Sequence, residues 1–222
     1  LYNFPSNPTG ATITVEQRDE LLDFARRHNL WIISDEVYDR TIYGSEHVSF
    51  LGTGYDKLLL VNSFSKTFAM TGWRIGYILS TNLDAMQQLI KLQYYVTACS
   101  NDAMQYAVLA AFEEANDYPA QMTKEFQERR DLICTRLNAM PGVSCHIPEG
   151  AFYVFPKVEV PGMNSEQVAI ELLKGGVLCS PGSAFGESGE GHLRFAYTIG
   201  RSDISLGMDK VEAVLSKLRD AS

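Results

Sequence analysis

Two rhythms of apolar and polar positions alternate along the chain. Short unbroken apolar runs read as strands covered on both faces: "LWIIS" at 30–34, "KLLLVN" at 57–62 and "RIGYILS" at 74–80. Between and after them, apolar residues recur at helical spacing. Thr14 and Gln17 form a capping-box pair ahead of a helix over 15–28, with Leu21, Leu22 and Ala25 on one face. Further helices are predicted over 83–98 and 102–115. Asp117, Tyr118 and Pro119 break the pattern, and a polar-rich helix over 119–139 then runs to the Pro141–Gly142 turn, with the length and charge of a connector. "VSCHI" and "AFYVFP" read as strands, 165–174 as a helix ending at Gly175–Gly176, "HLRFAYT" (192–198) as a strand and 203–219 as a closing helix. Alternating strands and helices predict an α/β fold with a mainly parallel sheet, and the mixture after the connector predicts a smaller α+β domain. The expected domains are 1–116 and 117–222.

Composition narrows the classes. The chain has 222 residues, 45% of them hydrophobic, enough for a sizeable core in one domain or two. Nineteen Lys and Arg against 27 Asp and Glu give a net charge of −8, which argues against nucleic acid or an anionic membrane surface as partner. No apolar run approaches the length of a membrane span, and no basic-then-apolar leader opens the chain. Cys99, Cys134, Cys145 and Cys179 are scattered without a CxxC pair, which reads as reduced thiols in a cytoplasmic protein. The four histidines are equally scattered and give a metal site little support. Leu1 opens the chain and the turn "NPTG" arrives by residue 7, so the chain reads as the second part of something longer.

The chemistry-bearing residues gather at strand ends. In "IISDEVY" (32–38), Asp35 follows a buried strand directly and Tyr38 comes three residues later. Ligands of open parallel sheets sit beyond the carboxyl ends of the strands, so Asp35 and Lys66 are expected to project from neighbouring strand ends into one crevice. The plainer reading of Asp35 is a cap on the next turn. Lys66 is either one more solvated lysine or a partly desolvated amine able to attack a carbonyl; Ser63, Ser65, Thr67 and Phe68 around it favour the second. Arg74, between Trp73 and an apolar strand, holds an anion or pairs with a sheet carboxylate. Arg194 alternates with Leu193 and Phe195, so it points to water or waits as a buried cation for an anion. Asn7 in "NPTG" is an ordinary turn opener by itself. "PGSAFGESGEG" (181–191) could cradle phosphate but lacks a phosphate-loop order, and reads as a mobile loop.

Together these residues form a kit for an electron-poor ring. Asp35 could keep a heteroaromatic nitrogen protonated, Lys66 carry an aldehyde, Arg74 and Ser63 hold a phosphate, and Arg194 hold a carboxylate, as pyridoxal phosphate chemistry requires. "NPTG" (7–10), "SDEVY" (34–38), "SFSKTFAMTGWRIGY" (63–77) and "GEGHLRFAYT" (189–198), in that order, resemble the fold-type I pyridoxal-phosphate enzymes of the class I/II aminotransferases. "EGAFYVFP" and "PGSAFG" resemble the branch with aspartate, alanine and aromatic aminotransferases. The resemblance implies that the chain is the C-terminal part of a large cofactor-binding domain plus the C-terminal small domain. It implies an imine between Lys66 and the cofactor, with Asp35 on the pyridinium nitrogen and Asn7 and Tyr38 on the phenolic oxygen. Ser63 and Arg74 would bind the phosphate, with Ser65 as its neighbour, and Arg194 the substrate carboxylate. Lys66 would then shuttle the α-proton in a ping-pong exchange between an amino acid and a 2-oxo acid, in a protein expected to be a homodimer. Family members carry a phosphate loop and a ring-stacking aromatic ahead of "NPTG", so the chain alone would lack a complete pocket. No Arg lies between Arg74 and Arg129 to read a side-chain carboxylate.

Three rivals accompany this reading. Ser63 to Lys66 matches the SxxK motif of serine acyl-enzymes, but the SDN and KTG partners are absent. A sensor domain could retain the cofactor without turnover. A β-lyase or decarboxylase could use the same scaffold.

Overall fold

The computed structural model describes residues 1–220. The chain divides into two compact units: residues 1–6 with 11–123, and residues 7–10 with Lys124 onward.

The first unit is built on a four-stranded sheet in the order β1 (Tyr2–Asn3), β2 (Ile32–Asp35), β3 (Leu58–Ser63) and β4 (Gly76–Leu79). The first three strands run parallel, with Tyr2 opposite Ser34 and Asp35 opposite Val61. β4 returns antiparallel, with Gly76 opposite Ser63. Between β1 and β2 runs α1 (Val15–Arg27), started by the expected capping box: Thr14 Oγ1 accepts the Gln17 N–H at 3.3 Å, and Gln17 Oε1 accepts the Thr14 N–H at 2.9 Å. Leu22 and Ala25 pack with Tyr2, Phe50, Tyr55 and Leu58. Leu21 faces outward, because one residue along a helix turns the side chain by roughly 100°.

A short helix, α2 (Phe64–Thr67), follows β3, and α3 (Leu83–Thr97) and α4 (Asp102–Glu114) follow β4. Both long helices are capped by asparagine, Asn82 and Asn101. α4 lays Val108, with Met104, Ala107 and Ala111, against Phe64, Met70 and Ile75. This clamps the turn after β3, where the sequence puts its lysine. α3 buries none of its residues within the described chain, and all four residues of β4 are exposed. The continuous apolar run of β4 is therefore uncovered here, unlike the two-faced burial its pattern suggests.

α5 (Tyr118–Asn138) carries the division between units within its own length. In the second unit, β5 (Val143–Ser144) pairs antiparallel with β7 (Lys157–Val158). A three-stranded antiparallel sheet has the order β6 (Tyr153–Val154), β9 (Leu193–Ala196), β8 (Ser180–Pro181). α6 (Ser165–Lys174) starts from an Asn164–Gln167 capping box, and α7 (Arg201–Asp220) closes the described chain. Leu137, Val154, Leu172, Leu193, Val211 and Leu215 are each essentially fully buried. The strands are far shorter than their apolar runs suggest.

The segment expected to be a mobile loop forms two 3₁₀ turns, Gly182–Phe185 and Glu187–Gly189. Gly182 and Gly189 press backbone to backbone: a Cβ on Gly182 would meet the Gly189 carbonyl oxygen at 1.9 Å. Only glycine permits that approach. Among the described residues, no helix is long and apolar enough to cross a membrane.

Candidate functional site

Lys66 stands on α2, one turn beyond the carboxyl end of β3. Ser63 is the N-cap of that turn: its Oγ accepts the Ser65 N–H at 3.1 Å and lies 2.8 Å from Ser65 Oγ and 3.1 Å from the Ile75 carbonyl oxygen. The SxxK serine is thus tied to Ser65 and to the backbone just ahead of β4. Phe64, buried at the head of the helix, contacts the rings of Phe68, Tyr77 and Phe112. Local capping and an aromatic anchor therefore fix the lysine's turn. Burial, and then the positive charge of Arg74, lower the proton affinity of Lys66 from the ordinary lysine value of 10.5. Lys66 is half-buried.

Arg74 sits at φ 55°, ψ 52°, a left-handed conformation that ordinary residues seldom adopt. Ala69 shares it, so both ends of the 69–74 turn are strained. The guanidinium donates to the Thr71 carbonyl at 2.8 Å and has no carboxylate ion pair among the described residues. Arg74, Ser63 and Ser65 line a cavity of about 830 Å³ that α3 also borders; Lys66 is not part of that lining. A Cβ at Gly76 would meet the Asn62 carbonyl oxygen at 2.7 Å, so glycine permits the close β3–β4 approach beside the two serines.

On the neighbouring strand, Asp35 ends β2 directly opposite Val61. Paired residues of parallel strands share a face, and residues two apart do too, so Asp35, Val61 and Ser63 lie on one face of the sheet. Asp35 Oδ1 accepts the Val37 N–H at 3.3 Å, as a cap on the next turn does. Tyr38 is buried in the turn that follows. What pins this turn is Glu36, a residue the sequence reading passed over. Its buried carboxylate accepts from Ser34 Oγ at 2.9 Å and from the Phe50 N–H at 3.0 Å, and contacts His47 Nε2 at 2.7 Å. Burial pushes its pKa up, but the hydrogen bonds, His47's first, outweigh this and leave it lowered. Asp39 is the opposite case: burial dominates, its pKa is raised, and Oδ1 is buried without a partner.

The second unit brings Asn7 and Arg194 together. Leu193 and Phe195 enter the core, so alternation turns Arg194 to the other face of β9. There it does not simply point to water. Its NH1 donates to Asn7 Oδ1 at 2.9 Å and its NH2 to Ser180 Oγ at 3.1 Å. The guanidinium carbon lies 4.6 Å from the Tyr153 ring centre and 5.0 Å from that of Phe185. Nε is buried and unpartnered. An arginine held this way, without a carboxylate, is a ready anion receptor. Tyr153, Ser180 and Phe185 escaped the sequence reading because they join Arg194 only once the sheet register is known.

Among the described residues no three His, Cys, Asp or Glu side chains could share a metal ion. The family model for aminotransferase class I and II matches residues 1–209. An aspartate aminotransferase of Pyrococcus horikoshii is 38% identical over 219 residues, covering 97% of this chain and 56% of that protein. A probable aspartate aminotransferase of Methanocaldococcus jannaschii is 41% identical over 96% of this chain and 57% of its own length. The crystal structure of an aromatic aminotransferase from Pyrococcus horikoshii superposes with a TM-score of 0.91 at 38% identity, over 97% of this chain and 59% of that one. The chain thus spans little more than half the length of the relatives it matches. It belongs to the class I and II aminotransferase family of fold-type I enzymes.

Proposed function

We propose that the whole protein is an aminotransferase that moves an amino group between an amino acid and a 2-oxo acid, and that this chain supplies its reactive lysine and two of its anion clamps. The family works with pyridoxal 5'-phosphate. The observation that carries the reading is a lysine amine of depressed proton affinity on the same turn as two linked serine hydroxyls, beside an arginine without a carboxylate partner among the described residues. An aldehyde bearing a phosphate calls for that donor set: an amine that gives up its proton readily, and a cation with hydroxyls for the phosphate. The residues present fit the cofactor.

When bound, the cofactor supplies an aldehyde carbon that links to amines and a ring that draws off electron density. In this reading Ser63, Ser65 and Arg74 hold its phosphate, and Asp35 keeps the proton on its ring nitrogen. Tyr38 and Asn7 are the hydrogen-bond partners of its phenolic oxygen. Arg194 takes the substrate's α-carboxylate. Lys66 Nζ acts as general base, removing the proton from the substrate's α-carbon. A ping-pong order follows from using one cofactor for donor and acceptor in turn. The four free thiols suit a cytoplasmic setting.

The test uses the whole protein loaded with cofactor. Single amino acids are added while the visible absorption band of the lysine-bound cofactor is followed. The reading expects that band to disappear with release of a 2-oxo acid. Lys66→Ala is expected to bind the cofactor yet lose turnover by about a thousandfold or more. Turnover at the unaltered rate would reject Lys66 as the reactive amine.

A further inference from the structure

We propose that Ser180 is a positioning residue for the carboxylate receptor, fixing the in-plane orientation of the Arg194 guanidinium; this rests on Arg194 being the carboxylate clamp. The argument begins with register. Ser180 lies directly across from Arg194 in the β8–β9 pair, and Tyr153 lies diagonally across in the β6–β9 pair, opposite Ala196. Side chains directly opposite share a face at close range, and the diagonal neighbour is within reach of long or aromatic side chains. The central strand therefore presents its arginine between a hydroxyl on one side and a ring on the other.

The two kinds of neighbour restrain different motions. Tyr153 and Phe185 contact the guanidinium as rings at 4.6 and 5.0 Å, and Phe155 props Phe185 edge-on at 5.8 Å. Aromatic contacts limit the guanidinium to a slot but leave it able to turn within its own plane. Turning is stopped by hydrogen bonds. Asn7 fixes NH1, and Ser180 fixes NH2. Losing the second of these frees the plane to swing about the first. A bidentate fork loses most of its advantage when its two donors no longer face the carboxylate together. Ser180 is half-buried, and no hydrogen bond in which its hydroxyl acts as donor is recorded among the described residues. Its one observed polar service is to accept from Arg194.

The experiment separates this inference from the reading beneath it. The whole protein, freed of cofactor, is titrated by calorimetry with two stable adducts: N-phosphopyridoxyl-L-alanine and N-phosphopyridoxyl-ethylamine, which lacks the carboxylate. The ratio of their dissociation constants reports the carboxylate alone and needs no turnover. Arg194→Ala should abolish the preference for the alanine adduct; a retained preference would reject Arg194 as the clamp. Ser180→Ala should cut the preference about tenfold, the scale of one hydrogen bond to a charged group, and leave the ethylamine adduct unchanged. Ser180→Thr should restore the preference, and Ser180→Val, of Thr's shape without the hydroxyl, should not. If Arg194→Ala loses the preference while Ser180→Ala keeps it, or if Ser180→Ala weakens both adducts equally, the positioning role is overturned and the clamp stands.

Discussion

The two arginines proposed for the two anions are held by opposite means. Arg74 is exposed and sits on a strained left-handed turn, and among the described residues its guanidinium donates to a carbonyl three residues back. Its direction is set by backbone. Arg194 lies in the middle strand of a small sheet, and four side chains from outside that strand contact its guanidinium. Its direction is set by tertiary packing. Around Arg74 the chain leaves apolar surface open, with α3 and β4 uncovered; around Arg194 the core is closed. A clamp specified locally survives in an incompletely covered unit, whereas a clamp specified by register needs its whole unit folded.

Matched glycine substitutions should break the comparison most sharply. Gly182→Ala drives a Cβ against two backbone oxygens, of Gly189 at 1.9 Å and His192 at 2.6 Å, so the turn that carries Phe185 must move. We expect a loss of about 2–3 kcal/mol in stability, together with a reduced preference for carboxylate-bearing adducts. Gly72→Ala, beside Arg74, meets nothing within 4 Å and should change stability by less than about 0.5 kcal/mol. Thermal unfolding and adduct titration of the two variants check this. Equal effects would mean that both clamps depend on packing to the same degree.

What the sequence makes legible follows the same division. The helices at 15–28, 102–115 and 165–174 appear almost where their periodicity ends, because capping residues such as Thr14 and Asn101 act within one turn. Lys66, Ser63, Ser65 and Arg74 stand within twelve residues of one another, so their association is readable from a single stretch. The Arg194 surroundings are not. Ser180 is 14 positions away and Asn7 187, and no local rule fixes their register. The turns within 181–191 are hidden in the sequence for a related reason: Gly182 and Gly189 gain their meaning from touching each other. Glu36 and Asp39 look alike in sequence, since residue type does not say whether a carboxylate's hydrogen bonds will outweigh its burial.

A smaller effect probes the local character of the first clamp. Burial and then Arg74 depress the Lys66 amine. Arg74→Gln removes a positive charge that disfavours the ammonium, so the Lys66 pKa should rise toward its ordinary value. At a fixed pH below that value, a smaller fraction of the amine is then unprotonated. The rate at which an amine-directed reagent labels Lys66 in cofactor-free protein should fall, and its pH profile should move to higher pH. Because burial is the larger cause, the shift should remain incomplete. A profile that does not move would mean the arginine acts on the site only through the anion it binds.

The smallest effect concerns one orphan polar atom in each region, Arg194 Nε in one and Asp39 Oδ1 in the other. A carboxylate whose pKa is raised by burial holds its proton more tightly folded than unfolded. Its stabilising contribution is complete below the unfolded value, near 3.8, and is lost as the pH climbs through the folded value. Asp39→Asn keeps the shape and removes the ionisation. The variant should therefore gain on the natural protein as pH rises, by about 1 kcal/mol or less near neutrality, with the gap closing in acid. Thermal unfolding of both proteins from about pH 4.5 to 7.5 measures it. A gap that stays flat across the range would show that Asp39 finds a compensating donor in the whole protein, and that its orphaned oxygen belongs only to this stretch of chain.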